Sequence, residues 1–137
     1  MYTGHCLCSS VQFEIHGAIR DIVCCHCSLC RHAQGSAFAT NGIVEATTFK
    51  LVSGESNLSA YESSPGQTRY FCKTCGSPII SKNTAHPGQI RVRVGTISSD
   101  IEERPSAHIF VNSKANWETL CDDLPRYYDY EPERGRS

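Results

Sequence analysis

PheCysLysThrCysGlySer, residues 71–77, lies between two short β-prone runs, ThrArgTyrPhe (68–71) and ProIleIleSer (78–81). Two strands flanking a Cys-x-x-Cys-Gly turn make half of a zinc knuckle, and a half needs its complement. Cys6-x-Cys8, far away in the chain, offers it. Cys6, Cys8, Cys72 and Cys75 together form a Cys₄ set in which one ion would tie the N-terminal strand to the middle of the chain. Such tetrahedral thiolate sites have no open coordination position and are structural.

Outward from this staple the chain reads as short strands broken by turn residues, with little repeating at helical period. Val11, Phe13 and Ile15 alternate with Gln12, Glu14 and His16, the pattern of a strand with one buried face. Ile90, Val92 and Val94 do the same against Gln89, Arg91 and Arg93. ThrPheLysLeuVal (48–52) and LeuSerAlaTyrGlu (58–62) have hairpin-like spacing, with Gly54 free to take a positive φ between them. ProGly at 65–66 and 87–88 marks further reversals. One short helix is expected at about Ser28–Gln34, with Ser28 as N-cap and Gly35 as stop. The fold class expected is mainly β: a single zinc-stapled domain of short antiparallel strands with at most one or two short helices. Residues 129–137 are too polar to pack and are expected to form a loose tail.

The chain has 137 residues and nine cysteines. Its first residues lack a charged segment leading into an apolar one, and no apolar run is long enough to cross a bilayer. The expected compartment is therefore a reducing cytoplasm, with no membrane partner. There, cysteines spaced Cys-x-Cys and Cys-x-x-Cys read as zinc ligands rather than disulfides. Seven thiolates around two Zn²⁺ would add three negative charges, taking the formal charge of −1 to about −4. That balance argues against nucleic acid as a partner, because such binding relies on a basic surface.

CysCysHisCysSerLeuCys, 24–30, carries the second thiol group. Neighbouring side chains on an extended strand point to opposite faces, so Cys24 and Cys25 are not expected to reach one ion together. Spacing allows Cys24 or Cys25, in either case with Cys27 and Cys30. Three protein ligands with a vacancy are the pattern of a catalytic zinc. A thiol entering that vacancy would lose its proton and remain nucleophilic. His5, His26 or His32 could fill the vacancy instead and make a second structural site. The overlapping Cys-x-x-Cys pairs also admit a redox dithiol, though no thioredoxin-like βαβ pattern surrounds them.

Cys6-x-Cys8, CysHisCysSerLeuCysArg (25–31) with Gly35-Ser36, PheCysLysThrCysGlySer (71–77), ValGlyThrIle (94–97), ProSerAlaHisIlePhe (105–110) and Trp117 with AspAspLeuPro (122–125) appear in this order. The series resembles the glutathione-dependent formaldehyde-activating enzyme and centromere protein V family, from about Gly4 to Tyr128, giving a domain over 4–128. The resemblance implies a β-tent fold with two Zn²⁺ per chain. One would be structural on Cys6, Cys8, Cys72 and Cys75, and the other catalytic on Cys25, Cys27 and Cys30, leaving Cys24 as an extra thiol. It further implies carbon–sulfur lyase chemistry, the joining of glutathione and formaldehyde into S-hydroxymethylglutathione, with Arg31, His26 or His32 as donor to the developing alkoxide. The partner is then a small thiol such as glutathione or its adduct, and a homo-oligomer is compatible with the family. Two other readings share these residues: a non-catalytic zinc-stabilised protein-binding module, for which the chain lacks a basic extension, and a zinc hydrolase of another small electrophile.

Other residues are read more plainly. Arg91 and Arg93 could hold a glutathione carboxylate but are expected to be solvated charges. Trp117 is expected to pack against the sheet and Cys121 to be a small buried residue. TyrTyrAspTyr (127–130) is read as a pocket lining, a subunit contact or a strap over the core.

Overall fold

The computed structural model describes residues 1–132, and within them the chain is mainly β, with a single α-helix. The smaller sheet holds β1 (Tyr2–His5), β2 (Gln12–Ile15) and β5 (Phe49–Ser53) in that order. The larger sheet uses β3 (Arg20–Cys25), β4 (Ala39–Glu45), β6 (Leu58–Ser64), β7 (Gln67–Cys72), β8 (Pro78–Asn83), β9 (Gln89–Arg93) and β10 (Ala107–Ile109). Its order is β10-β3-β4-β9-β8-β7-β6, antiparallel throughout except where β10 lies parallel to β3. The expected β fold of short antiparallel strands is thus present.

The main core joins both sheets. Val11, Phe13 and Ile15 bury the apolar face of β2 against Ile79, Ile80, Ile90 and Val92 of β8 and β9, and Phe13 stacks on Phe49 with ring centroids 5.2 Å apart. A smaller cluster of Val23, Cys25, Cys30, Ala39, Ala107 and Ile109 lies under the second thiol group.

The structure corrects several expectations. The runs around 48–52 and 58–62 do not form a hairpin, because β5 pairs with β2 and β6 with β7, in different sheets. Gly54 does take a positive φ, 85°, and a Cβ there would sit 2.0 Å from the Ser10 carbonyl oxygen. The tight turn therefore passes the chain from one sheet to the other instead of folding it back. The helix α1 covers Ser28–Gln34 and stops at Gly35 (φ 63°), but its N-cap is Cys27, whose Sγ accepts from the Cys30 N–H. Trp117 is exposed rather than packed on the sheet, and Cys121 is exposed rather than buried.

The segment 125–130 is a strap. Tyr127 N–H donates to the His108 carbonyl at 2.9 Å and Phe110 N–H to the Asp129 carbonyl at 3.1 Å, while the Tyr130 ring meets Phe110 edge-on at 4.9 Å. Asp129 and Tyr130, expected in the loose tail, are thus tied to β10; residues 133–137 of that expected tail lie outside the described residues. No helix among the described residues is long and apolar enough to cross a membrane.

Candidate active site

The first thiol group comes from the loop after β1, which carries Cys6 and Cys8, and the turn from β7 to β8, which carries Cys72 and Cys75. All four sulfurs lie within 4.8 Å of one another. Cys6 and Cys8 Sγ are 3.6 Å apart and Cys8 and Cys72 Sγ 3.8 Å; a tetrahedral zinc with 2.3 Å bonds needs sulfurs about 3.8 Å apart. The donor set and spacing fit such an ion. Hydrogen bonds already favour the ionised form of the two sulfurs on the β7–β8 turn. The Ser77 hydroxyl and backbone N–H bring Cys75 down to about 5, and the Ser10 hydroxyl brings Cys72 to about 7. Asn57 Nδ2 also donates to Cys72 Sγ at 3.1 Å.

The second group joins Cys25 at the end of β3, Cys27 at the helix cap and Cys30 within α1, again with sulfurs inside 4.8 Å of one another. Three thiolates on one face of a tetrahedral ion also fit this spacing. Cys24 falls outside the group, as strand alternation requires; it is buried and hydrogen-bonded to Thr40, and burial pushes its thiol up to about 11. In the group of three, the Cys25 and Cys27 thiols donate toward Cys30 and lower it, with the Arg69 charge adding to the effect, while Cys25 is raised by its two sulfur neighbours.

Among the described residues no histidine joins either group. His5 and His32 place Nδ1 on the Cys6 and Ser28 carbonyls, each at 2.7 Å. His26 is fully buried, its Nε2 2.9 Å from His108 Nδ1, and His108 Nε2 reaches Asp122 Oδ2 at 2.9 Å. Asp122 accepts from His108 Nε2, and His108 Nδ1 and His26 Nε2 share one hydrogen bond. Burial, with His108 beside it, lowers His26 to about 4. The Cys25-x-Cys27 corner is therefore tied through two imidazoles to the C-terminal segment.

The two groups differ in access. Cys25, Cys27 and Cys30 line a cavity of about 240 Å³, whereas none of the other four does. Strand register builds its opposite wall. Arg69 of β7 pairs with Ser81 of β8, which pairs with Arg91 of β9, and Arg93 pairs with Asn41 of β4. Arg91 and Arg93, two residues apart, share a face. All five line the cavity, with Phe110 and Tyr130 also on its walls. Arg91 and Arg93 are thus buried, 9% and 4% exposed, contrary to the expectation of solvated charges. Burial lowers Arg93 to about 10, within the range where it stays charged at neutral pH.

Sequence reading missed Arg69 and Asn41. The signal for Arg69 was present as polar residues at period two on adjacent strands, Gln67 and Arg69, Ser81 and Asn83, Arg91 and Arg93, but it becomes visible only once the pairing is known; Asn41 follows from its pairing with Arg93 alone. The alkoxide donors expected from sequence do not line this cavity. Arg31 and His32 lie on a separate shallow surface beside Trp117.

The family model of the glutathione-dependent formaldehyde-activating enzyme matches residues 1–113. The chain belongs to that family. An uncharacterised lyase of Schizosaccharomyces pombe is 33% identical over 78 residues, 57% of this chain and 55% of the relative. The chain thus spans about half the length of the curated relative it matches. The crystal structure of a Rhodobacter sphaeroides protein superposes with a TM-score of 0.60 at 25% identity, covering 73% of this chain and 91% of that one. The part of this formaldehyde-activating family member that matches holds both thiol groups and the three arginines. It excludes the strap with Tyr130 and the Asp122 end of the imidazole chain.

Proposed function

We propose that the chain is a zinc-dependent carbon–sulfur lyase-type enzyme acting on a thiol such as glutathione and a small aldehyde, or on their S-adduct. One observation carries this reading: of two thiol groups able to hold an ion, the four-thiol group is closed by its own ligands and the three-thiol group faces a cavity. The family membership and the lyase name of the yeast relative support the same class of reaction.

Cys25, Cys27 and Cys30 would hold the second zinc, and Cys6, Cys8, Cys72 and Cys75 the first. A zinc on the three cysteines would supply a Lewis acid that favours the thiolate form of an incoming thiol. In the synthetic direction the thiol sulfur forms a bond to the carbonyl carbon, the C=O π pair moves to oxygen, and the proton lost by sulfur ends on that oxygen. No oxidant or reductant is needed. Arg69 and Arg93 set a positive potential over the reacting atoms, stabilising thiolate and alkoxide alike. Ile109, Phe110 and Tyr130 present apolar surface that limits water and strengthens those charges' effect.

The test is metal analysis, expected to give two zinc ions per chain, followed by cobalt substitution and glutathione titration. A shift of the cobalt spectrum on adding glutathione, and new S–CH₂–O proton signals when formaldehyde follows, are the expected results. A spectrum unmoved by glutathione would sink the assignment of that thiol.

A further inference from the structure

Arg93 is almost wholly buried, and among the described residues nothing acidic lines the cavity it faces. Its Nη1 donates to Ser81 Oγ at 3.4 Å, while its Nε is buried without a partner among the described residues. Ser81 thereby leaves the Nε–Nη2 edge available, the side of a guanidinium that presents two parallel N–H donors to a two-oxygen acceptor. Arg69 gives Nε to Ser63 and Nη2 to Cys30 Sγ, and its Nη1 is likewise buried and unpartnered. Asn41, 4% exposed, holds an unpartnered Oδ1 in the same cavity. Buried donors and acceptors left without partners are costly, so three within one cavity point to a ligand that supplies the missing ones.

We propose that this wall is a carboxylate subsite, in which Arg93 and Arg69 hold the carboxylate of the substrate while Asn41 accepts from an adjacent hydroxyl or amine. It deepens the proposed function and rests on that cavity being the substrate site.

Charge calls for an anionic ligand. A divalent ion among three thiolates leaves one net negative charge. Arg69, Arg91 and Arg93 carry three positive charges, so the balance is closed by two negative charges, those of a carboxylate and a thiolate on one substrate. Size agrees. About 240 Å³ falls below the roughly 300–1,000 Å³ usual for drug-sized ligands, enough for one carboxylate-bearing end of a thiol. Metal and anion should reinforce each other, since the ion offsets the thiolate charge that otherwise balances the arginines.

The experiment is calorimetry on the zinc-loaded full chain with ligand pairs of equal length. 3-Mercaptopropionate is expected to bind about tenfold or more tightly than 3-mercapto-1-propanol, the size of effect of hydrogen bonds to a charged group. Arg93→Gln and Arg69→Gln, with zinc content and far-UV circular dichroism unchanged, should each remove most of that ratio. Should Arg93→Gln lose zinc or structure, Arg69→Gln and the wild-type ratio decide. Equal affinity of the pair for the wild type, a ratio untouched by the variants, or inorganic phosphate binding more tightly than lactate would overturn the proposal.

Lactate against 1,2-propanediol separates the two claims. Preference for lactate, with no thiol able to condense with formaldehyde, would keep the subsite and remove the proposed function. Mercaptopropanol binding and reacting as well as mercaptopropionate would do the reverse.

Discussion

Cys27 serves twice, its sulfur both capping α1 and standing in the group of three, whereas Cys72 lies in the closed group that joins the ends of the fold. Their replacement should therefore fail differently. Cys27→Ser keeps a capping oxygen, and the expected result is loss of one of two zinc equivalents and of activity with the circular dichroism spectrum retained. Cys72→Ser should forfeit much of a metal contribution on the order of 10 kcal/mol, comparable to the whole stability of a small domain, and yield unfolded or insoluble chain. If both variants lose structure alike, the second group is a staple too. Gly54 gives a second contrast. Gly54→Ala combines a left-handed φ with a clash against Ser10 and should cost more than about 1 kcal/mol in urea unfolding. Gly88→Ala, with nothing within 4 Å of the added methyl, should be near neutral.

Between elements, Glu103 is a clasp: it accepts from the Tyr2 hydroxyl of β1 at 2.6 Å and from the Ile19 N–H just before β3 at 2.7 Å. Burial works against its charge, but these hydrogen bonds outweigh that and lower it from the ordinary 4.5. A carboxyl lowered on folding contributes stability that is complete above its unfolded value and disappears as pH falls through the folded one. Glu103→Gln should thus lower stability at pH 7 by about 1 kcal/mol, with the difference from wild type shrinking below pH 4.5; a constant difference between pH 6 and pH 3 in thermal melts would refute the clasp. Element pairing is also where sequence reading ran out. Thiol groups and strands were legible because Cys spacing and two-residue alternation are local. The sheet change at Gly54 was not, because a positive φ serves a hairpin and a crossover equally. Nor was the burial of Arg91 and Arg93, since alternation marks a polar face without saying whether water or a cavity meets it.

Across the whole molecule, the two sheets share one core but the closed thiol group bridges them at one corner, joining the loop after β1 to the β7–β8 turn. A strong chelator should lower the melting temperature by tens of degrees or unfold the chain at 25 °C, given a metal contribution on the order of 10 kcal/mol. Readdition of zinc should restore both; a melt insensitive to chelation would show that the apolar core suffices. The strap has a different consequence for this sheet. By hydrogen-bonding along β10 it covers one end of the seven-strand order and leaves β6 at the other. Among the described residues, strand addition between copies through this sheet is left with β6 on each, so it terminates at a two-fold pair without a second margin from which a fibre could grow.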